Sequence, residues 1–227
     1  MYNSLDHIAL ILDGNKRWAK KYNYSSLYGY NKGFENIKKI VNYSVSINLP
    51  NLTIFALSSE NFNRSSVNII YEIIYENFSK TFDELIKKKG VKVNIFGSRD
   101  KLPNKIKEIF KTIEYNSSKN TSLNLNIAFN YGFKEEIKNV LYKFKNFENK
   151  IDINNDKEIK ELFYLSSTPD PDILIRTGGY QRLSNFIMFN LTYTELFFTN
   201  TLWPDFSGKE LQNIINNFLK IKRKYGL

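Results

Sequence analysis

No cysteine occurs among the 227 residues, which excludes disulfides, thiolate catalysis and cysteine-ligated zinc and stays compatible with the cytosol. Histidine occurs once, as His7 at the head of an apolar run. A Ser-His-Asp triad therefore lacks a well-placed base, and His7 reads as a satisfied structural histidine at the sheet edge away from the chemistry. No stretch of about eighteen uninterrupted apolar residues is present, so no helix is expected to span a membrane. The N-terminal MYNSLDHIALILDGN lacks a basic n-region, and its apolar stretch is too short for a signal peptide. Neither G-x-x-x-x-G-K-S/T nor G-x-G-x-x-G occurs, which removes the usual support for P-loop and Rossmann nucleotide sites. An arginine-rich block, zinc-finger spacing and an RNP-like aromatic motif are missing as well.

What is there describes a folded chain: 42% apolar and 15% aromatic residues, in a length suited to one domain over 1–227. The formal net charge is +10, from 33 basic and 23 acidic residues. Charge of that sign invites a nucleic-acid or anionic-membrane reading. Asparagine, isoleucine and lysine are abundant together, however, as in the product of an AT-rich gene, and that composition explains the lysines without a nucleic-acid partner.

Apolar strand-like runs alternate with helix-period segments. The runs are His7–Leu12, Leu52–Leu57, Val91–Phe96, Leu123–Phe129 and Ile173–Ile175. The first two and the last are continuous enough to be covered on both faces, as in a parallel sheet. Between them, Phe34, Ile37, Ile40, Val41 and Val45 share a helical face. Pro103 opens another helix carrying Ile106, Ile109, Phe110 and Ile113, and Phe133, Ile137, Val140, Leu141 and Phe144 make a third stripe. Ser207 suits the cap of a last helix with Leu211, Ile214, Ile215 and Phe218. The alternation predicts an α/β domain with a central, mostly parallel sheet flanked by helices. A helix over Val67–Lys88 is apolar on more than one stripe, as a central core helix or the wall of an apolar site requires. The polar stretch Asn149–Lys157 reads as a surface loop.

Ligands of open parallel sheets bind at the carboxyl ends of the strands. Four strand tails are polar: Asp13-Gly14-Asn15-Lys16-Arg17-Trp18, Ser58-Ser59-Glu60-Asn61-Phe62-Asn63-Arg64, Asn130-Tyr131-Gly132, and Arg176-Thr177-Gly178-Gly179-Tyr180-Gln181-Arg182-Leu183-Ser184. Parallel strands gather all four at one edge. Glycine after the first strand permits close backbone approach, Lys16 and Arg17 add positive charge, and Asp13 has the chemistry to hold magnesium against phosphate oxygens. In the last tail two guanidiniums and a hydroxyl, separated by glycines, suit a diphosphate.

Taken together, H-I-A-L-I-L-D-G-N-K-R-W-A, F-A-L-S-S-E-N-F-N-R, L-N-I-A-F-N-Y-G, D-I-L-I-R-T-G-G-Y-Q-R-L-S-N-F, Y-T-E-L-F-F-T and L-W-P-D-F resemble the cis-prenyltransferase family, of the bacterial undecaprenyl diphosphate synthase type. The resemblance implies an α/β fold with an apolar tunnel, usually a homodimer. It implies magnesium-dependent, repeated condensation of isopentenyl diphosphate with an allylic diphosphate such as farnesyl diphosphate. The product would be a long cis-polyprenyl diphosphate, the lipid carrier for cell-wall glycan, made in the cytoplasm with a peripheral membrane contact and no nucleic acid. By position, Asp13 would hold magnesium, and Gly14, Asn15, Lys16 and Arg17 the allylic diphosphate, with Trp18 beside it. Ser58, Ser59, Glu60, Asn61, Phe62 and Arg64 resemble the mobile catalytic stretch, with Asn61 engaged in proton removal. Arg176, Arg182 and Ser184, with Leu183 between them, would bind isopentenyl diphosphate, and Glu195 would be a second metal ligand, supplied across the dimer.

Three positions depart from the family pattern: Ser26 and Tyr30 stand where arginine and histidine are common, and Tyr180 where glutamate is common. Losing one charged donor to a desolvated anion costs about 1.5–3 kcal/mol, and Lys20, Lys21 and Lys32 are the nearest candidates to compensate. Two rival readings remain: a weakly active or non-catalytic accessory subunit of the same fold, and a basic nucleic-acid-binding protein.

Overall fold

A computed structural model describes residues 4–62, 66–146 and 151–223. Its strands are β1 (His7–Ile11), β2 (Asn51–Ser58), β3 (Val91–Phe96), β4 (Leu123–Tyr131), β5 (Ile173–Arg176) and β6 (Glu195–Phe198). They form one sheet in the order β3-β4-β2-β1-β5-β6, every neighbouring pair parallel. All residues of β1 and β5 are buried. Their side chains alternate between two cores: Ile8, Leu10, Ile173 and Ile175 enter one, Ala9, Ile11 and Leu174 the other. Continuous apolar runs arise because both sheet faces are covered.

The helices are α1 (Asn15–Lys21), α2 (Ser26–Ser46), α3 (Ser66–Ile73), α4 (Ser79–Lys89), α5 (Asn104–Ser117), α6 (Phe133–Asn146), α7 (Asp156–Glu161) and α8 (Gly208–Phe218). α2, α4, α5 and α8 supply Ile40, Phe82, Phe110 and Phe218 to the larger core. Ser207 caps α8 by accepting from the Glu210 amide at 3.2 Å. Pro103 sits at the N-cap of α5, one residue before its expected place. Two elements differ from expectation. β6 is a four-residue edge strand with an exposed Leu196, too short and too open to show a buried pattern. α7 starts at Asp156 inside the stretch expected to be loop, with Asn155 as its cap; residues 147–150 lie outside the described part.

The helix expected over Val67–Lys88 is α3 and α4 joined through a π-helical turn, Ile74–Phe78. A π turn closes its hydrogen bonds one residue later than an α turn and so rotates the helix beyond it. Ile73 and Ile74 before the end of that turn, and Phe82, Leu85 and Ile86 after it, are therefore all buried. The apparent second stripe is one stripe shifted in phase.

His7 is fully buried at the amino-terminal edge of the sheet. Its Nδ1 lies 2.6 Å from the Pro169 carbonyl, which can only accept, so Nδ1 carries the proton. Nε2 then accepts from Thr53 Oγ1 at 2.7 Å, and Thr53 accepts from Asn126 Nδ2 at 3.3 Å. Asn94 Nδ2 continues the row to Asn126 Oδ1 at 3.1 Å. Burial opposes charging of the imidazole and lowers its pKa from 6.5 to about 4. Between those values the unfolded chain binds a proton that the folded chain refuses, so stability is complete above pH 6.5 and falls as pH drops toward 4. The expected loss is about 3 kcal/mol, read as a falling urea midpoint across that window. A pH-independent midpoint there would contradict the assignment.

Candidate active site

β1 ends in a turn whose backbone is held by three hydrogen bonds from two residues. Thr177 Oγ1 accepts from the Asp13 amide at 3.0 Å and donates to the Asp13 carbonyl at 2.8 Å. That carbonyl also accepts from the Trp203 amide at 3.0 Å. Trp203 is buried, and its indole N–H donates to the Gly33 carbonyl at 2.7 Å. Gly14 comes next with φ 120°, and a Cβ there would meet Leu202 within 3.1 Å, so the first tail needs glycine for conformation and space.

Register brings Ile11 of β1 opposite Arg176 of β5, and the Asp13 side chain reaches across. Its Oδ2 lies 2.8 Å from Arg176 Nη2, and its Oδ1 lies 3.1 Å from Arg17 Nη2. The Arg176 side chain is only 4% exposed. Its Nη1 donates to Ser184 Oγ at 2.7 Å and to the Arg182 carbonyl, while its Nε is buried with no hydrogen-bond partner among the described residues. Arg17 Nη1 donates to the Gly178 carbonyl at 2.6 Å. The last tail folds back through positive φ at Gly178, Gly179, Ser184 and Asn185. Asn185 joins three tails: its Nδ2 donates to Glu60 Oε1 at 2.6 Å, its Oδ1 accepts from the Lys134 amide at 2.9 Å, and its carbonyl accepts from the Phe133 amide at 2.8 Å.

The tails enclose a cleft of about 670 Å³, within the usual range of small-molecule sites. Asp13, Gly14, Asn15, Lys16, Arg17, Ser58, Glu60, Asn61, Arg176, Arg182 and Ser184 line it, as expected of one convergent site. Five cations and two carboxylates face it, leaving three positive charges in excess. Leu12, Asn15, Tyr30, Ala56 and Ile70 also border an apolar compartment of about 90 Å³ beneath, closed by Ile73, Ile74, Phe82 and Trp203. The α3–α4 run is thus both core and wall.

Several expected residues lie elsewhere. The Trp18 indole donates to Asp205 at 2.6 Å and packs with Tyr22, Tyr24 and Tyr28, outside the cleft lining. Ser59 lies against Gly132, Phe62 packs toward Tyr71, and Leu183 joins the second core. Arg64 lies outside the described residues. Glu195 begins β6 and pairs with Ile173, which pairs with Ile8. It therefore stands near the amino-terminal edge, five residues before the level of Asp13, roughly 16 Å at strand rise. One chain does not bring these two carboxylates together.

Of the three departures, Tyr30 and Tyr180 line the cleft and Ser26 does not. Lys20, Lys21 and Lys32 do not line it either; Lys32 is paired with Glu35 at 2.8 Å. The added cation is Lys134, in the first turn of α6 after the Asn130-Tyr131-Gly132 tail. The signal that could have found it is its place two residues beyond the tail's glycine, at the opening of the next helix.

The undecaprenyl diphosphate synthase model of the Prenyltransf family matches residues 11–226. An isoprenyl transferase of Aquifex pyrophilus is 37% identical, over 97% of this chain and 95% of its own. A tritrans,polycis-undecaprenyl-diphosphate synthase (geranylgeranyl-diphosphate specific) of Thermococcus kodakarensis is 36% identical, over 97% and 86%. Among solved structures, lavandulyl diphosphate synthase from Lavandula x intermedia, in complex with dimethylallyl diphosphate, superposes with a TM-score of 0.91 at 30% identity, covering 98% of each chain.

The crossing of the first and last tails is tight at Gly178, where a Cβ would lie 2.5 Å from Arg17 Nη2 and 3.0 Å from the Asp13 carbonyl, at φ 85°. Gly178→Ala should lose about 1–2 kcal/mol of stability from its backbone conformation alone, measured by urea unfolding. An unchanged midpoint would show that Gly178 does not hold the left-handed conformation described.

Proposed function

The chain belongs to the undecaprenyl diphosphate synthase family of prenyltransferases, and from that premise we propose that it condenses isopentenyl diphosphate repeatedly with an allylic diphosphate. Farnesyl diphosphate is the proposed primer, and a long cis-polyprenyl diphosphate, a carrier for cell-wall glycan, the product. One observation carries this reading: a cleft with excess positive charge shares a wall with an apolar compartment. Diphosphate heads suit the first and hydrocarbon the second. As the product lengthens, the compartment must widen, which makes the α3–α4 wall the element to yield. A lipid product also gives a peripheral membrane contact a purpose, although among the described residues no helix is long and apolar enough to cross a membrane.

In this reading Gly14, Asn15, Lys16 and Arg17 hold the allylic diphosphate, and Arg176, Arg182 and Ser184 hold isopentenyl diphosphate. The allylic C–O bond breaks, its electron pair leaves with the diphosphate, and a C–C bond forms to the terminal alkene carbon of the partner. The internal alkene carbon is left cationic, and the methylene next to it passes a proton to a diphosphate oxygen as the new double bond closes. Fixed guanidiniums stabilise the charge gathering on the departing group. Asn61 lines the same cleft; an amide does not ionise near neutral pH, so its part is to orient the carbon that loses the proton.

Magnesium fits Asp13 on chemical grounds. Among the described residues no three His, Asp or Glu side chains cluster, so the ion would take most ligands from phosphate oxygens and water, its ordinary habit. When bound, it supplies further positive charge to the leaving diphosphate. The Asp13 side chain is 28% exposed and already answers two guanidiniums, so it is poised as a shared rather than a dedicated ligand. Glu195 can join such a site only from a second chain, which is why we propose a homodimer.

Purified protein given labelled isopentenyl diphosphate, magnesium and a series of allylic primers should yield long-chain product. Asp13→Ala should abolish incorporation and, by leaving Arg176 without its counter-charge, lower the urea midpoint while the circular dichroism spectrum without denaturant stays that of a folded protein; full activity in that variant would remove the metal assignment. Mixing inactive Asp13→Ala and Glu195→Ala chains should restore roughly a quarter of normal activity, since half the dimers are mixed and each has one intact site. Absence of any recovery would place Glu195 outside the neighbour's site.

A further inference from the structure

Three guanidiniums surround one aromatic ring. Measured from the Tyr180 ring centroid, the guanidinium carbons of Arg182, Arg17 and Arg176 lie at 4.3, 4.7 and 5.8 Å. Arg17 and Arg176 share Asp13, but Arg182 has no ion pair among the described residues. Like charges this close repel, and a long side chain without an ion pair, such as Arg182, otherwise scatters into solvent. The face of a phenol ring carries partial negative charge and attracts guanidinium without neutralising it. A guanidinium drawn to the ring keeps its full charge and its in-plane N–H donors for an anion. Positive φ at Gly178 and Gly179 turns the chain so that Tyr180 comes directly over the arginines.

We propose that Tyr180 is a positioning residue that holds Arg182 beside the already pinned Arg176, ready for the diphosphate of isopentenyl diphosphate. This rests on the reading of the cleft as a diphosphate site. The ring face is what acts, so Tyr180→Phe preserves the effect and Tyr180→Leu, of similar bulk without a ring, removes it. Tyr180 is 44% exposed, and neither substitution should move the urea midpoint.

The test is calorimetric titration with inorganic diphosphate, then steady-state kinetics with isopentenyl diphosphate varied. Tyr180→Phe should bind diphosphate within about twofold of the unaltered protein, and Tyr180→Leu roughly 5- to 10-fold more weakly, the scale of a cation–π contact. KM for isopentenyl diphosphate should rise by the same factor in Tyr180→Leu, with kcat held. Equal binding by all three proteins overturns the proposal and leaves the cleft reading standing. Equal weakening in both substitutions also overturns it, by assigning the effect to the hydroxyl. Absence of diphosphate binding by the unaltered protein overturns the cleft reading itself, and this proposal with it.

Discussion

The ion pair between Asp13 and Arg176 is the constraint on which the site depends. It spans the boundary between β1 and β5 and gives a nearly buried guanidinium its counter-charge. Without a partner such a charge is strongly destabilising. The same pair sets the resting state of the cleft. An arriving anion competes with Asp13 for Arg176, and a cation competes with Arg176 for Asp13. In the proposed reading, a diphosphate carrying its own cation replaces both partners together, so the buried guanidinium is not left alone.

The two ends of the strands serve opposite purposes. At the amino ends, His7, Thr53, Asn126 and Asn94 satisfy one another in a closed row across the sheet. At the carboxyl ends, hydrogen-bonding capacity remains open: Arg176 Nε and Asn15 Oδ1 are buried without partners among the described residues. Satisfied polar rows specify packing, whereas unsatisfied donors and acceptors at a cleft are capacity for a ligand. A buried histidine and a buried arginine can therefore look alike in a sequence and play unlike parts.

The asparagines within strands show how composition and structure meet. Asn124 Nδ2 donates to Asn51 Oδ1 at 3.1 Å across the register of β2 and β4, and Asn126 bridges Thr53 and Asn94. Whatever raised the asparagine content, these residues stand in buried and half-buried rows held by their amides. The interruption of the β3 and β4 patterns by asparagine therefore weakened the strand signal without weakening the sheet.

The strand runs, most helices and the convergence of the polar tails were readable because each depends on local period and chain order. Parallel pairing then brings Asp13, Ser58 and Arg176 to one edge wherever the connections run. β6 and α7 were not readable: a four-residue edge strand and a six-residue helix bury too little to impose a pattern. Tertiary structure alone decided that Trp18 turns to Asp205, that Lys134 enters the cleft, that Glu195 lies near the far edge, and that Tyr180 lies among three arginines. Those outcomes are set by distances between residues remote in sequence, and a periodic pattern carries direction along its own element but no separation from another.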